Sequence, residues 1–400
     1  MDCAPQSDRK RPSFDDAVGR LNADYFFREF AFSTNTFKPD PRSELELADK
    51  IVWLDDLLIV CQIKERKAPA DTSAEKERKW FSDEVAKKAT RQIRDTLSYF
   101  QKYTNIELRN NRGDASNIAR AQVVQMHKIV IYNPHASLPT ECLFRKFHRS
   151  KSAGVIHVVH AEAYLGILRA LVTPVEIAEY LSFRETLINK WGDALSHVSE
   201  RAVVGQYLRN LPKEKPSFEF VKFVDELEEK NKDWDIARII HLFFDRQNTP
   251  EGSRETGYRV LKQLGKLYRT EMGEFKKRFH FSMQKALADE PCLPHRFTSS
   301  RGCGFVFIPL NRKDLRHRRN YLLNFTVLNK YDQKLDRCIG LTFIAEGEGG
   351  WCDVQWCTLE FPWKEDSDVK TVLAACYPFR PVKRRVVERY GLSDAPKSKD

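Results

Sequence analysis

The chain has 400 residues, 42% of them hydrophobic and 31% charged, which is enough for two or three domains with cores of their own. No apolar run is long enough to cross a bilayer and no segment reads as a signal peptide, so a soluble, cytoplasmic protein is expected. Lys and Arg total 67 against 56 Asp and Glu, a formal charge of +11 that favours polyanionic partners such as DNA or RNA. The nine cysteines form no CxxC pair, and Cys352 and Cys357, either side of Trp356, have no nearby histidines. Reduced thiols are expected in place of disulfides or a zinc set. Phosphate-binding GxxxxGK[ST], nucleophile-elbow GxSxG and metalloprotease HExxH motifs are all absent, which removes support for ATP-driven, acyl-transfer and zinc-protease chemistry.

In chain order, Ser13 is a helix N-cap, and Phe14, Val18, Leu21 and Tyr25 recur at helical spacing, with Glu29 extending that row. Residues 33–43, with Pro39 and Pro41, read as a loop. Next, Glu46-Leu47-Ala48-Asp49 precedes two apolar runs, Ile51–Leu54 and Leu57–Lys64, joined through Asp55-Asp56 as a hairpin. Setting Leu54 opposite Leu57 brings Asp49 opposite Gln62, and strand alternation returns Lys64 to the face of Gln62. An acid, an amide oxygen and an ammonium thus gather at one end of strands apolar enough to be covered on both faces. That combination suits a metal ion and a phosphate, although charges also mark where ordinary buried strands reach solvent.

A charged connector over residues 65–78 leads to a helix from Trp80 to about Tyr103. Its apolar face carries Phe81, Val85, Ala89, Ile93, Leu97 and Phe100, and Lys87, Lys88, Arg91, Gln92 and Arg94 lie on its flanks. Those bases are placed to follow a phosphate backbone. Strands at Ile129–Tyr132 and Val155–Val159 and helices at Tyr164–Val172 and Pro174–Trp191 follow, with His157 and His160 read as structural. Helices are then expected at Phe218–Lys230, Trp234–Phe244 and Glu255–Leu287. The last part reads as an antiparallel sheet of Phe305–Leu310, Tyr321–Leu328, Cys338–Ala345 and Val354–Phe361, with Gly347, Gly349 and Gly350 at a turn. Trp351, Trp356 and Trp363 cluster there, either as a local core or as a face for a protein partner or a second copy of the chain. The expected domains are an α/β unit over residues 13–200, a helical segment over 201–290 and a β-rich part over 291–400.

The order of a helix ending near Glu29, a strand preceded by Asp49, a strand carrying Gln62-Ile63-Lys64, and a helix with Gln92 resembles the PD-(D/E)xK nuclease superfamily, in particular its stand-alone bacterial members. The likeness covers roughly residues 13–190 and rests on short motifs in order, Glu46-Leu47-Ala48-Asp49 and Lys87-Lys88-Ala89-Thr90-Arg91-Gln92 included. It implies an α/β restriction-endonuclease-like mixed sheet flanked by helices, and Mg²⁺- or Mn²⁺-dependent hydrolysis of nucleic acid, DNA before RNA, with a bacterial anti-phage setting. It further implies Asp49 and Gln62 as metal ligands, Lys64 as the group that orients water and stabilises charge, Glu29 and Gln92 as positioning groups, and Glu46 as a further acid of the site. Lys87, Lys88, Arg91 and Arg94 would contact the nucleic acid. One departure is chemical: Gln62 stands where the motif has an acid, so the site loses a negative charge that Glu29 or Glu46 could restore. The alternative it raises is a catalytically degenerate nucleic-acid-binding or scaffold subunit on the same fold.

Overall fold

The computed structural model describes residues 12–67, 69, 71–230, 254–347, 351–380, 389, 390 and 392, and the chain divides between Glu228 and Glu229 into two units. The sequence was read as three segments; of its helical one, residues 201–228 fall in the first unit and 229–290 in the second.

In the first unit Ser13 caps helix α1 (Phe14–Phe26) by accepting the Asp16 N–H. Strand β1 (Ala31–Phe32) follows, and then β2 (Thr36–Asp40) and β3 (Ser43–Glu46) pair as a small hairpin where a loop was expected. Pro39 is accommodated because its pairing is interrupted between Phe37 and Asp40, in a two-stranded sheet where missing N–H donors cost little. Strands β4 (Lys50–Leu54) and β5 (Leu57–Glu65) form the expected hairpin, with Leu54 opposite Leu57 and Asp55 in the left-handed region at φ 57°. The supposed connector after β5 is helical from α2 (Ala74–Trp80), capped by Ser73, through π-helical turns at Phe81–Lys88 to α3 (Ala89–Lys102).

After the short pair β6 (Glu107–Arg109) and β7 (Ala115–Asn117) comes β8 (Gln125–Asn133), parallel to β5. The turn α4 (Thr140–Leu143) and strand β9 (Phe147–Ser150) precede β10 (Gly154–His160), which runs parallel to β8. The sheet order is β1-β4-β5-β8-β10-β9. Side-chain alternation assigns its faces. Ile51, Leu58, Val60, Val130, Tyr132, Ile156 and Val158 pack under the helix that continues into α3. The opposite face meets α1, α5 (Ala161–Ala170) and α6 (Pro174–Trp191), as the Tyr164 hydroxyl bonded to Asn22 Oδ1 at 2.6 Å illustrates. Helices α7 (Glu200–Leu208) and α8 (Val221–Lys230) complete this unit.

The second unit carries α9 (Arg254–Leu264) and α10 (Arg269–Leu287), a break at Gly265–Tyr268 dividing what the sequence suggested as one helix. The expected helix at Trp234–Phe244 lies outside the described residues. Strands β11 (His295–Thr298), β12 (Cys303–Pro309), β13 (Arg337–Glu346) and β14 (Trp351–Glu360) lie side by side in that order. The expected strand at Tyr321–Leu328 is helix instead, α11 (Arg318–Asp332), so the sheet is mixed rather than antiparallel. The reason is topological: β12 and β13 are parallel, and a parallel pair requires a crossover, here supplied by α11. Leu322, Thr326 and Asn329 turn inward from it at helical spacing, a period hidden in so short an apolar run. On the other face Phe275 and Phe279 of α10 meet Phe305, Phe307 and Phe343 with ring centroids 5.0–5.6 Å apart. The short helix α12 (Ser367–Ala375) follows the sheet.

Gly340 lets α11 approach β13, because a Cβ there would sit 1.9 Å from Thr326 Oγ1. Replacing Gly340 with Ala is expected to destabilise this unit by about 1–3 kcal/mol, as overpacking does. Thr326→Ala in the same chain should recover part of that loss, read as non-additive shifts of the denaturation midpoint. Independent, additive losses would place the strain elsewhere.

Candidate functional site

The hairpin closes as a ladder at Lys50 opposite Cys61, so Asp49 lies just beyond it and does not pair with Gln62 as the sequence count had it. The Asp49 carboxylate instead turns across to β5, accepts the Ile63 N–H at 2.5 Å and faces Lys64 Nζ at 3.7 Å. Both side chains are largely sheltered, at 17% and 10% exposure, which makes their charges felt more strongly than at a surface. Gln62 follows Leu58 and Val60 on the face covered by α3 and is 2% exposed. On α3, Gln92 falls in the inward row of Ala89, Ile93 and Thr96. Among the described residues neither Gln62 Oε1 nor Gln92 Oε1 has a hydrogen-bond partner although both are buried. Such oxygens are uncommon, and each costs about 1–3 kcal/mol unless a cation, water or ligand meets it.

The Leu47–Asp49 segment is fixed by contacts legible only in three dimensions. Thr96 Oγ1 donates to the Leu47 carbonyl, while Asn35 Nδ2 donates to the carbonyls of Ala48 and Asp49 at 3.0 and 3.2 Å. The Leu47 N–H returns to the Asn35 carbonyl at 2.8 Å. Glu46, at the end of β3, has its carboxyl pushed up by burial and then by the negative charge of Asp49, against the pull of Lys64. The E-L-x-D segment therefore brings a second acid into the field of the first. Lys50, buried on the opposite side of β4, is held by Asp15 Oδ2 at 2.5 Å and by the Ser33 carbonyl at 3.1 Å.

Glu29 does not join this group. It lies next to β1, whose Ala31 pairs with Val52, and Phe30 accepts the Trp53 N–H, so Glu29 is at the turn end of the hairpin. Five strand positions separate that level from Asp49, roughly 16 Å. Its carboxylate is used by Arg112 Nε at 2.6 Å. The row extending from Tyr25 ends because the helix stops at Phe26 and Phe27 turns the chain with φ 67°. The basic flank of the α3 helix is also weaker than its composition suggested. Lys87 and Lys88 are exposed but paired with Asp83 and Glu84 one turn back, at 2.9 and 2.8 Å, which leaves Arg91 and Arg94 as the cations of this flank with no ion pair among the described residues.

A second polar cluster occupies the other face of the sheet, and only its His157 had drawn notice in the sequence, as structural. Possible ligand atoms of His127, His157 and Glu185 lie within 4.8 Å of one another. Arg184 Nη1 is 2.9 Å from His157 Nδ1, and a guanidinium can only donate, so neutral His157 carries its proton on Nε2. It presents an N–H to the cluster in place of a lone pair. Metal-ligating histidines have the reverse arrangement, their second ring nitrogen donating outward. The donor set thus shrinks to His127 and Glu185, too few for a closed site, and the cluster is better described as part of a buried network. Arg184 also holds Glu200 at 2.7 Å, which is joined by Lys146 at 3.3 Å and by the Tyr180 hydroxyl. Burial would raise Glu200, but the charges of Arg184 and Lys146 hold it well below the usual carboxylate range. All described cysteines are unbridged, as expected.

Comparison with family models, with curated proteins and with solved structures finds no match for this chain. No helix among the described residues is long and apolar enough to cross a membrane.

Burial, then the charge of Lys128, pushes His127 down to about 4, and burial with Arg184 lowers His157 well below its ordinary value. Both folded values lie below the unfolded one near 6.5, so the stability these neutral rings contribute is present above about pH 6.5 and is lost on acidification toward 4. For His127 alone the linkage amounts to about 2 kcal/mol between pH 7.5 and pH 5. The His127→Gln variant should lose correspondingly less stability over that interval in urea titrations, and an acid loss equal to that of the native chain would contradict the assignment.

Proposed function

We propose that the first unit is a divalent-cation-dependent phosphodiesterase acting on nucleic acid, DNA in the first instance, on a restriction-endonuclease-like arrangement of its mixed sheet. The observation that carries the reading is that two buried carboxamide oxygens have no partner among the described residues: that of Gln62, two residues before Lys64 on β5, and that of Gln92, on the inward row of the covering helix α3. Lys64 lies near the carboxyl end of β5, in register with Tyr132 near the end of the parallel strand β8, the edge at which open α/β sheets carry their ligands.

The donor chemistry fits Mg²⁺ or Mn²⁺: Asp49 supplies a carboxylate, Gln62 a neutral oxygen, and Glu46 a second negative charge in their field, all oxygen donors as hard cations require. When bound, such a cation supplies positive charge against the developing charge of the phosphoryl group and acidity for a water. Asp49, held to the Ile63 N–H, keeps its remaining lone pairs aimed in a fixed direction. Lys64 places its ammonium where charge develops on the phosphate, a preorganised interaction made at no reorganisation cost. Gln92, fixed on a helix that Thr96 ties to the Leu47 carbonyl, positions water or a phosphate oxygen through its amide.

The second reading is a binding module whose catalysis has lapsed, and a specific feature favours it. Gln62 carries no charge, and Asp49 is already engaged by Lys64 and a backbone N–H. The two are separated by cleavage assays on single-stranded and duplex DNA and on RNA with Mg²⁺, Mn²⁺ or chelator. The catalytic reading expects metal-dependent cleavage, lowered by about 10²–10³-fold in Lys64→Ala while DNA binding persists. An inert parent that gains cleavage on Gln62→Glu would establish the lapsed site, and undiminished cleavage by Lys64→Ala would remove Lys64 from the mechanism.

A further inference from the structure

The surplus of positive charge is not shared between the units. Residues 1–228 hold 35 Lys and Arg against 33 Asp and Glu, a net +2, whereas residues 229–400 hold 32 against 23, a net +9. The unit with the candidate catalytic residues is therefore almost neutral. Nucleic-acid affinity comes mainly from cations that neutralise phosphates and release counterions, so a near-neutral unit is poorly equipped to supply it.

Within the second unit, the densest run of cations on described residues is Arg312–Arg319, leading from a 3₁₀ turn (Arg312–His317) into α11. It contains Arg312, Lys313, Arg316, Arg318 and Arg319 against Asp314 alone. Two of these are committed to the fold: Arg318 is buried against Asp353 and Thr342, and Arg312 donates to the Gly347 carbonyl at 3.0 Å. Lys313 and Arg316 are exposed and have no ion pair with any described residue. This differs from Lys87 and Lys88 of the first unit, whose charges are balanced within their own helix. Beside the cations, the exposed His317 ring meets Tyr321 edge-on at 6.3 Å, and Tyr321 stacks on Phe325 at 6.0 Å. Leu315, between Lys313 and Arg316 in the same turn, is 58% exposed. Unpaired cations next to aromatic and apolar side chains are the combination that binds a phosphate backbone and its bases together.

The geometry points to the Arg312–Tyr321 surface of the second unit, with Lys313 and Arg316 as the phosphate contacts, as the principal nucleic-acid-binding surface of the chain. The inference rests on the reading of the first unit as acting on nucleic acid, and it assigns affinity and chemistry to different units.

The test measures anisotropy of a labelled oligo(dT) 20-mer and of a 20-base-pair duplex with the full chain, as a function of salt. The Lys313→Glu/Arg316→Glu variant should bind at least about tenfold more weakly near 0.1 M salt. Its log–log salt slope should fall by roughly 1.4 on the single strand or 1.8 on the duplex, two phosphate contacts' worth. Which oligonucleotide shows the larger loss tells whether single strand or duplex is the better ligand. Arg91→Glu/Arg94→Glu changes charge equally on α3 and should leave affinity within about threefold. The proposal is overturned if the first variant binds like the native chain, if the α3 variant loses as much, if the native chain binds neither oligonucleotide, or if it prefers phosphatidylserine vesicles to both. Asp49→Asn keeps the two readings apart: native-like binding with no cleavage supports both, whereas a native chain that binds through this surface but never cuts sinks only the catalytic one.

Discussion

The account depends on how the end of the β4–β5 hairpin handles polar groups taken out of water. Asp49 is sheltered beside Lys64 and held to the Ile63 N–H, and two carboxamide oxygens are left facing the same helix-covered side of the sheet without partners. A core built only for stability would fill such a position with apolar side chains or complete its hydrogen bonds. The segment that delivers Asp49 is over-determined by contrast, with Asn35 and Thr96 fixing three successive carbonyls. Rigid support around an incompletely satisfied centre is the arrangement expected of a site that receives a ligand.

The opposite face of the same sheet solves the equivalent problem internally. Arg184, Glu200, Lys146, Tyr180 and His157 satisfy one another, and the direction of the Arg184–His157 hydrogen bond makes that histidine a donor toward its neighbours. The two faces thus differ in what their buried polar groups are: an ion-paired network on one, neutral carboxamides beside a strand-end carboxylate and lysine on the other. The first is built around a paired carboxylate, Glu200, with only His127 Nδ1 of its histidines left without a partner among the described residues; the second leaves two carboxamide oxygens unmet. The distribution of charge extends this division, because the unit that holds these networks is nearly neutral while the second unit carries most of the cationic surplus.

Much of the candidate site was legible because it lies on one hairpin. The two apolar runs and the Asp55-Asp56 turn set a register that the ladder reproduces from Leu54–Leu57 to Lys50–Cys61, and Lys64 returns to the side of Gln62 by alternation alone. The register count went one position too far at Asp49, where the backbone leaves the ladder and the side chain bridges the gap. Glu29 was misplaced because helical spacing cannot reveal where a helix stops. Asn35 and Thr96 gave no signal, since their value lies in carbonyls 13 to 49 residues away in the chain. The helix at Arg318–Asp332 was hidden by an apolar run that suits either period, and the parallel pairing of β12 with β13 decides it. His127, one histidine inside the apolar run of β8, had only its company as a clue.

The most direct measurement of the central claim is a Mn²⁺ titration followed by electron paramagnetic resonance, because it reports cation binding whether or not the chain cuts anything. The account predicts one tight equivalent on the native chain, lost in Asp49→Asn and weakened in Gln62→Leu, with His127→Gln unchanged. Binding that survives Asp49→Asn but disappears in His127→Gln would put the cation on the other face of the sheet and contradict the site described here.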